Sequence, residues 1–278
     1  MTADGQSSNM SANVERFSGF ATIYDRYRPA PPPELRSWLC RYAGVSYPQL
    51  VVDIASGTGL STRIWLEQAT TLIGIEPNAD MRAQAEQHMR AGDSSGKTQL
   101  SFRAGSADAT GLPDACADIV TISQALHWLE PMSTFTEAAR ILRPGGVFAA
   151  YDCDWPPALD WQVEAAYNAC MDRAYELEQR YQTGQGVQRW NKDGHLARMA
   201  ASGKFRYTHE IVMHRSDFGT TARLIGLALS QGSLAGLWKI GLSEDEIGIT
   251  ALRAIAEQRM GLGVQPWLWS YRVRIGVV

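Results

Sequence analysis

"VVDIASGTGLSTRIWL", residues 51–66, opens as a run of β-branched apolar side chains, breaks into small residues and resumes with helical spacing. A strand ending at Asp53, a turn carrying Gly57 and Gly59, and a helix starting near Ser61 make the first strand–helix unit of a nucleotide-binding sheet. Glycine permits positive φ and lets a ligand come close to the backbone. Roughly twenty residues further on, Glu76 stands in "GIEPN" at the end of a second apolar run. A carboxylate there can accept hydrogen bonds from both hydroxyls of a ribose. The dinucleotide fingerprint would need a further glycine where this chain has Thr62, which points away from NAD or FAD.

The alternation continues outward from that unit. "LVVDIA" (50–55), "TLIGIEP" (71–77), "QLSFRAG" (99–105), "ADIVTISQ" (117–124) and "GVFAAYD" (146–152) read as buried strands. Helical patterns lie between them at 61–69, at 78–92 with Asn78 as its N-cap, and at 132–142, where "RPGG" stops the last. Strand–helix alternation predicts an α/β fold, a mostly parallel sheet with helices on both faces, which binds ligands beyond the carboxyl ends of its strands.

Composition narrows the function classes. The 278 residues carry a net charge of -3 with no block of like charge, so neither nucleic acid nor membrane is expected as a partner. Cys40, Cys116, Cys153 and Cys170 form no C-x-x-C pair and read as reduced thiols of a cytoplasmic protein. The first 17 residues are polar and read as a disordered tail without a signal peptide's apolar region. No apolar run is long enough to span a bilayer. The histidines form no recognisable metal-ligand motif, so no metal is expected.

Four stretches taken in order, "VVDIASGTG", "GIEPNADM", "GSADATGLPDACADIVTISQALHWLE" and "LRPGGVFAAYD", resemble the motifs of class I S-adenosylmethionine-dependent methyltransferases. The likeness is to the small-molecule branch with trans-aconitate-type and quinone-biosynthesis-type enzymes, and it covers about residues 18–155. One departure is Ala55, which stands where the first motif glycine is usual. The resemblance implies a Rossmann-like sheet of seven strands whose last strand is antiparallel and lies next to the fifth. It implies S-adenosylmethionine (SAM) as cofactor and S-adenosylhomocysteine as product.

It also implies roles for particular residues. Asp53, Ala55, Ser56, Gly57 and Gly59 would line the methionine and ribose side, and Glu76 would hold the ribose, with Pro77 and Met81 beside the adenosine. Ser106, Ala107 and Asp108 would lie near the adenine, Gln124 and Ala125 near the methyl group. "ATIYDRYRPAPPPEL" (21–35) resembles a segment that covers the cofactor through Tyr24, Tyr27 and Arg28. Arg28 would pair either with the cofactor carboxylate or with an acidic surface residue. Methyl transfer from a sulfonium needs alignment and exclusion of water more than a catalytic group. His127 in "ALHWLE" is a candidate base, the alternative being that His127 and Trp128 shape the loop.

The remainder reads as excursions from the same sheet. "FRYTHEIVMHR" (205–215) and "QPWLWSYRVRIGVV" (265–278) alternate as strands, and helical patterns occupy 162–181, 220–232 and 243–260. Ser243 and Glu246 have capping-box spacing. Residues 18–278 are expected to form one domain, with segments at about 156–204 and 216–262 forming a lid. Asp152, Asp154 and Trp155 follow the fifth strand and can face the acceptor, with Trp190 and Trp238 as further candidate lining. Trp267 and Trp269 read as core. No arginine cluster stands out in the excursions. The reading is methyl transfer to a small apolar or aromatic acceptor such as a secondary metabolite. The alternatives are a SAM-binding protein catalysing a non-methylating reaction and a nucleotide-binding module without chemistry.

Overall fold

The computed structural model describes residues 11–90 and 97–278. Seven strands form one sheet in the order β3-β2-β1-β4-β5-β7-β6. They are β1 (Leu50–Ile54), β2 (Thr71–Ile75), β3 (Gln99–Arg103), β4 (Ala117–Ser123), β5 (Leu142–Cys153), β6 (Tyr207–Gly219) and β7 (Gln265–Val277). The first five run parallel, and β7 pairs antiparallel with β5, Val147 opposite Val277 through Cys153 opposite Tyr271. The strand order reverses between β1 and β4, the switch point at which such sheets leave a crevice.

Burial explains why these runs are strands. Residues 51–54 of β1, 72–75 of β2 and 117–122 of β4 are buried without interruption, as in strands covered on both faces. The edge strand β6 instead alternates exposed with half-buried residues, and only Gly219 at its end is buried. Between sheet and helices, Phe148 stacks on Phe205 at 5.4 Å and meets Phe135 edge-on at 5.8 Å.

The chain divides into two compact units. The sheet unit comprises Ala30–Cys153, Gln188–Met213 and Tyr271–Val278. Its helices are α2 (Leu35–Ala43), α3 (Ala79–Arg90), α4 (Pro131–Ile141) and α6 (His195–Ala201). The helix expected after β1 is only a 3₁₀ turn, Thr62–Trp65, followed by turns. Glu67 there has φ 60, which breaks the helical path.

The helical unit comprises residues up to Pro29, Asp154–Val187 and His214–Ser270. It contains α1 (Ala21–Tyr27), α5 (Trp161–Tyr181), α7 (Thr221–Leu229), α8 (Gly232–Lys239), α9 (Glu244–Ile247) and α10 (Ile249–Met260). The capping box at Ser243 and Glu246 is present, but Gly248 at φ 95 divides the expected helix into α9 and α10. Residues 1–10 of the expected tail lie outside the described residues. Residues 11–15 are helical, and Arg16 makes a buried ion pair with Glu178 at 2.6 Å. Trp267 and Trp269 are buried, as expected of core, with ring centroids 6.3 Å apart.

Candidate active site

β1 ends at Ile54, and the chain turns through Ala55, Gly57 and Gly59 with φ of 53, 57 and 80. Gly59 is pressed on the Phe102 ring: a Cβ there would stand 2.8 Å from Cζ. A Cβ on Gly57 would meet nothing within 4 Å, so its bare face is open. Ser56 Oγ and Thr58 Oγ1, on either side of it, are buried with no hydrogen-bond partner. Glu76 follows β2, and its carboxylate accepts from Gly57 N and from Asn78 N, both at 2.8 Å. Burial raises its pKa, and those two N–H groups oppose the rise. Two hydrogen bonds leave half of the carboxylate's lone pairs available. An open glycine face, two unsatisfied hydroxyls and this carboxylate fit a ribose-bearing cofactor. Asn78 caps α3 by accepting from Met81 N at 3.0 Å; Met81 is buried and Pro77 exposed.

Asp53 is buried and turned toward its own chain. Its carboxylate accepts from Thr62 Oγ1 at 2.6 Å and Thr121 Oγ1 at 2.8 Å, tying the 3₁₀ turn to β1 and β4. Burial pushes its pKa up to about 6 against those hydrogen bonds. Neither threonine is legible as a partner in the sequence, because Thr121 stands 68 positions away. After β3, Ser106 and Ala109 pair through their backbones, Ala107 between them is buried, and Asp108 is exposed.

Past β4, Gln124 has φ 55 and donates through Nε2 to Cys153 Sγ at 2.9 Å. Ala125 then begins the 3₁₀ turn Leu126–Trp128. His127 is 6% exposed, its Nδ1 3.5 Å from Asp152 Oδ1 at the end of β5. That is long for a hydrogen bond. Lys192 Nζ reaches the same oxygen at 2.9 Å, and Arg274 Nη1 lies 3.1 Å from Asp152 Oδ2. Burial lowers the His127 pKa to about 4; Lys192 and Arg189 add to the drop, while Asp152 opposes it. The imidazole is therefore neutral at pH 7, and its Nδ1 is buried without a hydrogen-bond partner. Burial pushes the Asp152 pKa up, but His127 and Lys192 together hold it below the usual carboxylate range. Trp190 N donates to His127 O at 2.8 Å, and the Arg189 guanidinium lies 4.5 Å from the Trp128 ring centre.

The segment 188–198 is thus part of the sheet unit, and with Arg274 it supplies cations that the sequence does not group. Arg189, Lys192 and Arg198 are spread over a loop, a 3₁₀ turn and a short helix, and Arg274 is on β7. Only the register of β5 with β7 brings Arg274 to Asp152.

The other expected site residues belong to the helical unit. Arg28 donates to Ser230 Oγ at 2.9 Å, Ser230 O at 2.7 Å and Gln231 Oε1 at 2.9 Å, and lies over the rings of Tyr24 and Trp155. Its partners here are neutral oxygens rather than a carboxylate. Tyr27 packs on Gly226, where a side chain would overlap its ring. Trp155 meets Trp269 edge-on at 5.1 Å; Asp154 is exposed, its N–H donating to Ser270 O at 2.8 Å; Trp238 is exposed.

Sheet order, glycine turn and post-β2 carboxylate are those expected of a nucleotide-binding α/β domain. Comparison makes the class specific: residues 52–150 match the methyltransferase domain family. An uncharacterized methyltransferase of Mycobacterium tuberculosis is 32% identical over 130 residues, 47% of this chain and 49% of that protein. The ubiquinone/menaquinone biosynthesis C-methyltransferase of Rubrivivax gelatinosus is 28% identical over 137 residues, 48% of this chain and 51% of that protein. A provisionally named type II methyltransferase from Anaeromyxobacter dehalogenans has the same fold, with a TM-score of 0.62 at 21% identity. That superposition covers 90% of this chain and 98% of the other. The chain spans about half the length of the relatives matched in sequence. Residues 52–150 thus match a methyltransferase domain, in keeping with the resemblance of their motifs to class I SAM-dependent methyltransferases. Among the described residues no group of histidine, cysteine or carboxylate side chains could hold a metal ion, and no helix is long and apolar enough to cross a membrane.

Proposed function

We propose that this protein transfers a methyl group from SAM to a small acceptor with an apolar or aromatic body, working in the cytoplasm without a metal. The observation that carries the reading is Glu76. Its carboxylate ends β2, hydrogen-bonded to the amide of Gly57 whose other face is open. Glu76 would accept from the ribose hydroxyls with its remaining lone pairs. Ala55, Ser56, Gly57 and Gly59 would lie along the methionine and ribose, with Ser56 Oγ and Thr58 Oγ1 gaining partners. Asp53 would hold the turn in shape through Thr62 and Thr121. Pro77, Met81, Ser106, Ala107 and Asp108 would border the adenine, and Gln124 and Ala125 the transferring end. When bound, SAM supplies an electrophilic methyl on its sulfonium.

The chain's own part is alignment, exclusion of water and removal of a proton. His127 is neutral at pH 7 and would take the acceptor's proton at Nε2, with Asp152 turning the ring. Trp128 and Trp190 of the sheet unit offer flat apolar surface for the acceptor.

Calorimetric titration with SAM and with NAD tests the cofactor. Wild-type protein should bind SAM, and Glu76→Ala should bind it roughly tenfold more weakly or worse while remaining folded, as expected for losing charge-assisted hydrogen bonds. Binding of NAD instead of SAM would sink the proposal. Recovery of SAM unchanged after turnover of a substrate would replace methyl transfer with a non-methylating reaction.

A further inference from the structure

Of the cations near His127, Lys192 and Arg274 are held by carboxylates. Arg274 is shared between Asp152 and Glu210, its Nε 2.9 Å from Glu210 Oε2, and Lys192 is on Asp152. Arg198 has no carboxylate partner. It donates to Asn191 O and, at 2.9 Å, to His195 Nδ1, and its guanidinium lies 5.6 Å from the Trp190 ring centre. Asp193, the other acid of the segment, is exposed and makes no ion pair with a described residue.

His195 decides what is missing. A guanidinium only donates, so His195 Nδ1 must accept, and the ring proton sits on Nε2. That Nε2 is buried with no partner, in a side chain 0% exposed. Arg198 Nε is likewise a buried donor without an acceptor. Two orphaned N–H donors, one of them on a guanidinium with no carboxylate partner, call for an acceptor atom bearing negative charge. Arg198 and Trp190, and Arg189 and Trp128, pair a cation with an aromatic face. Such surfaces suit a ligand with a flat body and an anionic end. Trp190 N is bonded to His127 O, so this surface adjoins the turn that carries the candidate base.

We propose that residues 188–198 form a carboxylate-recognition subsite, centred on His195 and Arg198 and flanked by Lys192 and Arg189, and that the acceptor is an aromatic or apolar acid. The assignment rests on the methyl-transfer reading for calling this ligand the acceptor. Its chemistry is independent of that reading. The ligand's carboxylate oxygens would accept from the two orphaned donors, while its ring lies along Trp190 and Trp128. Lys192 would stay on Asp152.

Benzoate and its neutral isostere benzamide probe the subsite directly. Each is titrated into the full chain, with calorimetry for affinity and the imidazole nitrogen resonances of His195 for location. Benzoate should bind roughly tenfold or more tightly than benzamide, as for other charge-assisted hydrogen bonds, and should shift the His195 resonances. Arg198→Gln, and the more exposed Lys192→Gln as a second variant, should each reduce the preference for benzoate, Arg198→Gln the more strongly, with SAM affinity unchanged. Equal binding of the two probes, or benzoate binding that leaves His195 unmoved, would overturn the subsite. So would absence of benzoate binding in protein that binds SAM; a buried water would then be the donors' acceptor. Failure to bind SAM, with the benzoate preference intact, would instead remove the methyltransferase reading and leave an acid-binding site.

Discussion

Asp152 Oδ1 lies 2.9 Å from Lys192 Nζ and 3.5 Å from His127 Nδ1, so one buried carboxylate oxygen pairs with an ammonium and faces an imidazole just beyond hydrogen-bond reach. The second oxygen faces Arg274. Removing the charge would leave two cations beside a neutral amide. Asp152→Asn should therefore destabilise the protein by about 3 kcal/mol, the usual scale for breaking a buried ion pair. Urea unfolding at pH 7 measures it, and an unchanged midpoint would mean that water already screens the cluster.

His127 gives the kinetic test. With a pKa near 4 its base form is complete through neutrality, so its protonation would leave the rate flat above about pH 5.5 and falling through about 4. His127→Asn should keep SAM affinity and lower kcat about 10²–10⁴-fold, the range for general-base catalysis, and should lose that acidic limb. A near-normal kcat with the same pH profile would leave His127 as a residue that only shapes the turn after β4.

Gly57 and Gly59 should separate binding from folding. Alanine at Gly59 puts a methyl 2.8 Å from the Phe102 ring at φ 80, an overpacked and strained position. Gly59→Ala should cost about 1–3 kcal/mol of stability. Gly57→Ala adds only a left-handed residue, about 1 kcal/mol, yet its methyl enters the open face and should weaken SAM binding more than it weakens the fold. Thermal unfolding beside SAM titration decides. Equal loss of SAM affinity and stability in both variants would place the cofactor elsewhere.

Acid should weaken the fold through its buried histidines. Burial lowers His127 to about 4 and His195 to about 3, below the unfolded value, so the unfolded chain takes up protons first. Stability from each is present above about pH 6.5 and is lost as pH falls toward the folded value. Asp53, raised to about 6, works the other way between pH 6 and 4 and offsets part of the loss. The net expectation is a loss of about 2 kcal/mol between pH 7 and 5. Urea titrations at both values check it, and His195→Gln should remove more than half of the difference. A wild type equally stable at both would show that the histidines titrate as they do in the unfolded chain.

The sheet was legible because its central strands are covered on both faces and read as unbroken apolar runs; "VVDI" and "DIVTI" need no long-range information. Glu76 was legible for the same reason, since its place follows from where β2 ends. The turn at Thr62–Trp65 reads as a helix in the sequence because the periodicity of "STRIWLEQA" is helical, while Glu67 takes a left-handed conformation. The polar cluster had no local signature. Asp152 meets Lys192 across 40 positions and Arg274 across 122, by strand register and by the return of residues 188–213 to the sheet unit. Arg198 stands three positions after His195 in one short helix, a spacing that carries no signal by itself.

β7 lies between β5 and β6, although β6 comes before it in the chain. During synthesis, then, β6 emerges with no neighbouring strand to join, and Asp152 is made 122 residues before its guanidinium partner. The parallel strands β1 to β5 can assemble while translation proceeds, but the charge balance around Asp152 waits for Arg274. A ribosome stalled anywhere between residues 220 and 264 would hold a nascent chain with an open sheet edge and a half-neutralised carboxylate, a form suited to chaperone capture and unsuited to catalysis.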